Sequence, residues 1–278
     1  MRTVTYVYCL IAASRVPALD RSRRGLPGVG PLRLLAIGDG SGTNGDGRRP
    51  RARKSPGALA QWLAVADAPL ELYGEAVINR RLSELGWVSR AAVAHEAIVE
   101  SFIEQPAVLP MKLFTIFMND DRALEHVHAE RRRIAAILTR VAGHHEWGVR
   151  VVLDATAAKI GNAKKGPGKR GSTRTGAAYL SLKKAQRDQA AELSQRAQTT
   201  VAELYDRLGR RAAESKRRAV SELAAPGGPL LLDAAFLVPR GRSRQFVSTV
   251  ARETKALAAT GYRLTASGPW PPYSFVQD

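Results

Sequence analysis

Histidines and the carboxylates beside them are the residues best suited to chemistry in this chain. There are five histidines and one cysteine among 278 residues. His126 and His128 stand two apart in a helical pattern, so they do not share a face and cannot hold a metal together. His144-His145-Glu146 enters a strand and lacks the wider ligand set of a zinc site. His95, next to Glu96 on a predicted helix, reads as a packing or surface residue. Cys9 lies inside an apolar run and reads as a buried thiol rather than a nucleophile. As the sole cysteine it excludes an intramolecular disulfide, which fits a reducing compartment.

Two glycine-rich stretches imitate ligand loops. The Asp-Gly and Asn-Gly pairs of residues 38–57 suggest calcium, but Arg48, Arg49, Arg51 and Arg53 stand where an EF-hand needs acidic oxygens. Gly161 and Gly166 have P-loop spacing, but Pro167 occupies the position of the essential lysine. There is no Gly-x-Ser-x-Gly elbow and no His-Glu-x-x-His. Asp154 and Asp233 end or interrupt strands and read as edge or turn residues. No catalytic constellation assembles, so a protein without enzymatic activity, cofactor or metal is expected.

Charge points outward instead. The chain carries 43 Lys and Arg against 25 Asp and Glu, a net charge of +18. Such an excess suits a polyanionic partner. From Lys159 to Arg218 there are 16 basic and 5 acidic residues, a net of +11. One reading is therefore a basic scaffold that binds nucleic acid through residues 159–218. Against it, residues 113–117 (LFTIF) offer aromatics without the Gly-rich basic run of an RNA-binding sheet. No apolar run approaches the ~20 residues of a membrane span.

Around these residues the pattern predicts two α+β domains. Residues 3–12 read as a central strand with Tyr6, Tyr8 and Leu10 on one face and Val7, Cys9 and Ile11 on the other. Its β-branched and aromatic content argues against a secretion signal. Leu32–Ile37 and Gln61–Ala66 complete a three-stranded N-terminal sheet, with residues 38–57 as a disordered basic loop between them. Helices follow at Gly74–Leu85 (Val77, Ile78, Leu82, Leu85 inward) and Arg90–Ile103 (Val93, Ala97, Ile98, Phe102 inward). Gly86 reads as a stop and Ser89 as a cap. Pro106 marks a boundary, giving domains 1–105 and 106–278.

In the second domain Leu109–Phe117 reads as one strand, Asp121–Ala142 as one helix and Glu146–Leu153 as a strand. Residues 155–228 read as an insertion: a basic loop, then a long helix at Ala177–Leu208 with Tyr179, Leu182, Gln186, Leu193, Ala197, Val201, Leu204 and Leu208 on its stripe. Leu230–Val238, a helix capped by Ser243, and Tyr262–Ala266 finish the chain. With the insertion set aside, two strand-helix-strand units give a ferredoxin-like split βαβ.

The tail, residues 267–278, is the least ordinary segment. Pro269, Pro271 and Pro272 forbid a helix or a central strand, yet Trp270, Tyr273 and Phe275 need burial. Together these residues form a rigid strap, closing the C-terminal domain's own sheet or contacting a partner. The tail also carries a resemblance. Tyr6-Val7-Tyr8, Ala94-His95-Glu96, Val108-Leu109-Pro110-Met111 with Thr115-Ile116-Phe117, Glu146-Trp147-Gly148-Val149, Gly166-Pro167-Gly168, Ala234-Ala235-Phe236-Leu237-Val238 and Gly268-Pro269-Trp270-Pro271-Pro272-Tyr273-Ser274-Phe275 occur in the order of the gas vesicle protein F/L family, which the chain resembles along nearly its whole length. The resemblance implies a cytoplasmic, non-enzymatic accessory protein of gas vesicle formation with two α+β domains. It also implies association with the gas vesicle shell protein or other gas vesicle accessory proteins. One departure is local: Leu113-Phe114 stands where the family more often has an aromatic residue followed by Gly.

Overall fold

Thr3–Ala13 forms β1, a strand apolar on both faces that can only be satisfied by neighbours on both edges and cover on both sides. The computed structural model describes residues 2–20, 22–38, 59–154, 176–219 and 228–276. β2 (Arg33–Ile37) and β3 (Ala60–Pro69) extend the sheet on one side of β1. β4 (Ala107–Pro110) and β5 (Ile116–Phe117) pair with β1 on the other. The sheet order is β2-β3-β1-β4, with β5 beside β4 along β1. The N-terminal sheet thus has five strands rather than three. Pro106 does not mark the domain boundary: Pro110 is tolerated because it ends a short edge strand, opposite Cys9.

A bulge between Val7 and Cys9 shifts the register of β1 against β3. One extra residue flips every later side chain to the opposite face. Tyr6 and Tyr8 therefore share one core with Cys9, Ile11 and Ala13, and Leu10 turns away from it. Simple alternation had placed Leu10 with the tyrosines.

Helices α1 (Leu70–Tyr73), α2 (Glu75–Arg81) and α3 (Leu85–Glu100) follow β3. The start of α3 lies earlier than Ser89, so Gly86 and Ser89 fall inside it. Trp87, Ala91, His95, Ile98 and Val99 face the core, whereas Leu82, Leu85 and Val93 are exposed. The expected single strand 109–117 is broken by a turn at Lys112–Thr115, in which Phe114 takes φ 64°. The expected helix 121–142 is two, α4 (Asp120–Ala129) and α5 (Arg131–Val141), separated at Glu130. Asn119 caps α4 by accepting from the Arg122 amide at 2.9 Å.

The chain forms two units: Met1–His145 with Trp270–Asp278, and Glu146–Pro269. The expected boundary at 105/106 moves accordingly. In the second unit β6 (His144–Leu153), α6 (Gly176–Gly209), β7 (Glu214–Arg217), β8 (Leu230–Pro239), α7 (Ser243–Ala258) and β9 (Tyr262–Trp270) follow in sequence. Its sheet order is β7-β8-β6-β9. That is the split βαβ arrangement, reached by a different route from the one the pattern suggests. The long helix is its first crossover, not an insertion, and the charged strand β7 is its second strand. Val149, Val151, Leu232, Phe236 and Val238 of the sheet pack against Val201, Leu204 and Leu208 of α6 and Phe246, Val250 and Leu257 of α7. Of the described residues of the α6 stripe, Ala197, Val201, Leu204 and Leu208 are buried, whereas Gln186 and Leu193 are exposed. The glycine-rich loop 39–57 and the P-loop-like glycines 161 and 166 lie outside the described residues.

Candidate functional site

The first unit's core is organised around a buried polar chain that begins in β1. Tyr6 and Tyr8 lie two apart on the bulged strand, with ring centroids 4.8 Å apart. His95 projects from the inner face of α3 against both rings, at 5.7 and 5.4 Å. Its Nε2 lies 3.2 Å from the Met111 carbonyl and must donate to it. Its Nδ1 is then the acceptor for the Tyr6 hydroxyl, at 2.7 Å. The Tyr6 oxygen in turn accepts from the Phe114 amide at 3.2 Å. Phe114 stacks on Trp87 at 4.9 Å with an interplanar angle of 8°. The chain helix–histidine–tyrosine–turn therefore holds residues 111–114 where the backbone turns left-handed.

The other two tyrosines clamp a second loop. Tyr8 accepts from the Leu26 amide at 3.2 Å, and Tyr73 donates to the Pro27 carbonyl at 2.7 Å. Gly25 lets that loop approach: a Cβ there would stand 2.3 Å from the Tyr8 hydroxyl oxygen. Burial makes every charged form costly here. It holds His95 down at about 4, pushes Tyr8 up to about 12, and raises Tyr6 and the Cys9 thiol as well. A neutral histidine, neutral phenols and a buried thiol supply no accessible acid, base or nucleophile. This cluster positions loops.

The other sequence-flagged residues are placed separately. His126 packs beside Phe117, with ring centroids 5.2 Å apart. His144 Nδ1 lies 2.7 Å from the Ala142 carbonyl. Glu146, rather than joining His144 and His145 around a metal, accepts from Arg218 at 2.6 Å. Asp233 is no turn residue: it sits within β8, buried, and accepts from Arg150 at 2.9 Å and Arg218 at 3.1 Å. The described residues contain no group of three or more His, Cys, Asp and Glu able to hold a metal ion. No described helix is long and apolar enough to cross a membrane.

Part of the basic stretch is already engaged internally. Arg207 pairs with Glu253 at 3.1 Å, Arg217 stacks over Tyr205 at 4.5 Å, and Arg218 holds the two buried carboxylates. In the first unit Arg33 bridges Asp67 at 2.5 Å and Asp120 at 2.6 Å, and Thr5 donates to Asp120 at 2.7 Å. These donors, the Arg33 contact first, hold the Asp120 carboxyl below the usual range.

The strap packs on a different core from the one its sequence position suggests. β9 runs through Pro269 to Trp270, and Tyr273–Phe275 makes a short 3-10 turn. Trp270 onward belongs to the first unit. Tyr273 packs against the apolar core that contains Tyr6 and Tyr8, Phe275 is fully buried, and Arg140 donates to the Phe275 carbonyl. Pro271 and Pro272 are buried, Trp270 is half-buried and Pro269 is exposed. Trp270 ends β9 of the second sheet, as the tail's position suggests, whereas Tyr273 joins the first unit's core instead.

A family model described as gas vesicle synthesis protein GvpL/GvpF matches residues 4–277. The chain belongs to the GvpL/GvpF family. It is 31% identical over 238 residues to a gas vesicle protein L of Streptomyces sp. (strain CB03234), covering 84% of this chain and 86% of that protein. The crystal structure of GvpF from Anabaena sp. PCC7120 has the same fold, with a TM-score of 0.65 at 15% identity over 99% of this chain and 97% of that one. GvpF from Microcystis aeruginosa aligns with a TM-score of 0.61 at 14% identity, covering 99% of both chains. Membership gives this GvpL/GvpF protein a role in gas vesicle formation.

Proposed function

We propose that this GvpL/GvpF chain is a cytoplasmic assembly factor that binds the gas vesicle shell protein, other accessory proteins, or both, and acts by binding rather than catalysis. The observation that carries the reading is the family match over residues 4–277. The chemistry of the core supports it. Tyr6, Tyr8, Cys9 and His95, all perturbed by burial, are neutral at pH 7. Buried carboxylates such as Glu146 and Asp233 are held by arginines. In this reading the tail residues Pro271, Pro272, Tyr273 and Phe275 are a structural strap, and Pro269 and Trp270 keep surface for a partner. Deletion of the gene in a vesicle-forming cell, followed by re-expression of the intact chain, tests the role. Loss of vesicles on deletion and their return on re-expression are expected; unchanged vesicle number and shape after deletion would refute it.

A further inference from the structure

The outer face of α3 carries an apolar patch that the fold does not use. Leu85 and Val93 are 79% and 65% exposed, and Leu82, just before the helix, is 50% exposed. Leu85, Ser89 and Val93 recur every four residues and so line one side of α3. Single exposed leucines are ordinary; Leu85 and Val93, about two turns apart on one side of α3, with Leu82 three residues before Leu85, make an apolar stripe. The inner face of α3 is complete without them, because Trp87, Ala91, His95, Ile98 and Val99 already fill the core.

The same side ends in like charge. Glu96 follows Val93 by three residues, and Glu100 follows Glu96 by four, so both continue the stripe. Neither makes an ion pair among the described residues. Partial burial, then the neighbouring Glu100, raises the Glu96 carboxyl above its ordinary range. In a chain of net charge +18, an i,i+4 carboxylate pair at the end of an apolar stripe is a local concentration of negative charge.

We propose that this face of α3 docks an amphipathic helix of a partner protein, with the partner's apolar side on Leu82, Leu85 and Val93 and its lysines or arginines on Glu96 and Glu100. The inference rests on the reading that this chain works by binding other proteins of vesicle formation. Charge selects the occupant. A cation between Glu96 and Glu100 relieves their mutual repulsion, whereas an acidic helix end would add to it.

The probe is a synthetic 18-residue amphipathic helix with a leucine stripe ending in two lysines, and a copy ending in two glutamates. Anisotropy titration against the intact protein should show the lysine peptide binding roughly fivefold tighter, a preference that shrinks with salt. The pair Glu96→Lys and Glu100→Lys should reverse the preference, and Leu85→Ser with Val93→Ser should weaken both peptides at least tenfold. Equal binding of the two peptides, or binding untouched by these variants, overturns the proposal. So does a concentration-dependent dimer that Leu85→Ser with Val93→Ser abolishes, because the occupant is then a second copy. The same variants re-expressed in the deletion strain separate the two levels. If deletion has no effect on vesicles, the assembly role fails. If deletion abolishes vesicles but both variant pairs restore them fully, only the docking face fails.

Discussion

Phe114 offers a sharp test of the core's construction, because glycine and alanine should exchange their usual order there. It is a non-glycine residue at φ 64°, in the left-handed region. The conformation costs an L-residue about 1–2 kcal/mol. It is held by the hydrogen bond its amide donates to the Tyr6 hydroxyl, by the Val7 amide on the Thr115 carbonyl at 2.9 Å, and by the ring stack on Trp87. Phe114→Ala removes the ring but keeps the strain, so about 2–3 kcal/mol of burial and stacking is lost. Phe114→Gly loses the same ring and releases the strain, while freeing the unfolded chain by about 0.5–1 kcal/mol. The glycine variant should therefore be more stable than the alanine variant by about 0.5–1 kcal/mol, with both below the parent. Urea denaturation at pH 7 measures it. Val93, exposed on a helix, supplies the control, where glycine should fall about 1 kcal/mol below alanine. An alanine variant at 114 equal to or more stable than the glycine variant would refute a strained turn clamped by Tyr6 and Trp87.

Three further outcomes follow from the same core. His95 is held near 4, below its unfolded value, so the unfolded chain binds the extra proton between about pH 6.5 and 4. Its contribution is complete above pH 6.5 and is lost as pH falls through 4, about 3 kcal/mol in all; denaturation of His95→Gln across that window should show a shallower decline than the parent. Phe275→Ala should cost about 3–4 kcal/mol and half-buried Trp270→Ala clearly less, a ranking read by chemical denaturation and reversed if the strap is anchored by its tryptophan. Gly25→Ala should cost about 2 kcal/mol through its clash with the Tyr8 hydroxyl. In a Tyr8→Phe background the added cost should shrink, and a strictly additive double-mutant cycle would show that the two do not touch.

Much of this fold is legible in the sequence where periodicity is strong. β1, β3, β6 and β8 fall where apolar runs place them. The errors have physical causes. A bulge at Val7–Cys9 leaves no residue signature, so Leu10 is assigned to the wrong face. β7, Glu-Ser-Lys-Arg, has an edge strand's charges and no apolar pattern, so its partner helix α6 reads as an insertion. The split βαβ order then fits the wrong six segments. On α3 the helical stripe read from the sequence takes Val93 together with Ile98 and Phe102, and only packing shows that Val93 is exposed while Ile98 and Phe102 are buried. The Tyr6–His95 bond joins residues 89 apart, and the Arg33–Asp120 pair residues 87 apart; neither is visible without tertiary structure. The tail is recognisable at once by its prolines and rings, but not the core it joins.

The central claim, that this GvpL/GvpF protein acts by binding shell subunits or fellow accessory proteins, is tested most directly by capture from vesicle-forming cells. The intact tagged chain would be crosslinked in the cell early in vesicle growth, purified under denaturing conditions, and its crosslinked partners identified by mass spectrometry. Enrichment of the shell protein or another vesicle accessory protein over a tag-only control is predicted. A strain in which the tagged chain restores vesicles yet captures none of these proteins above the control would contradict the account.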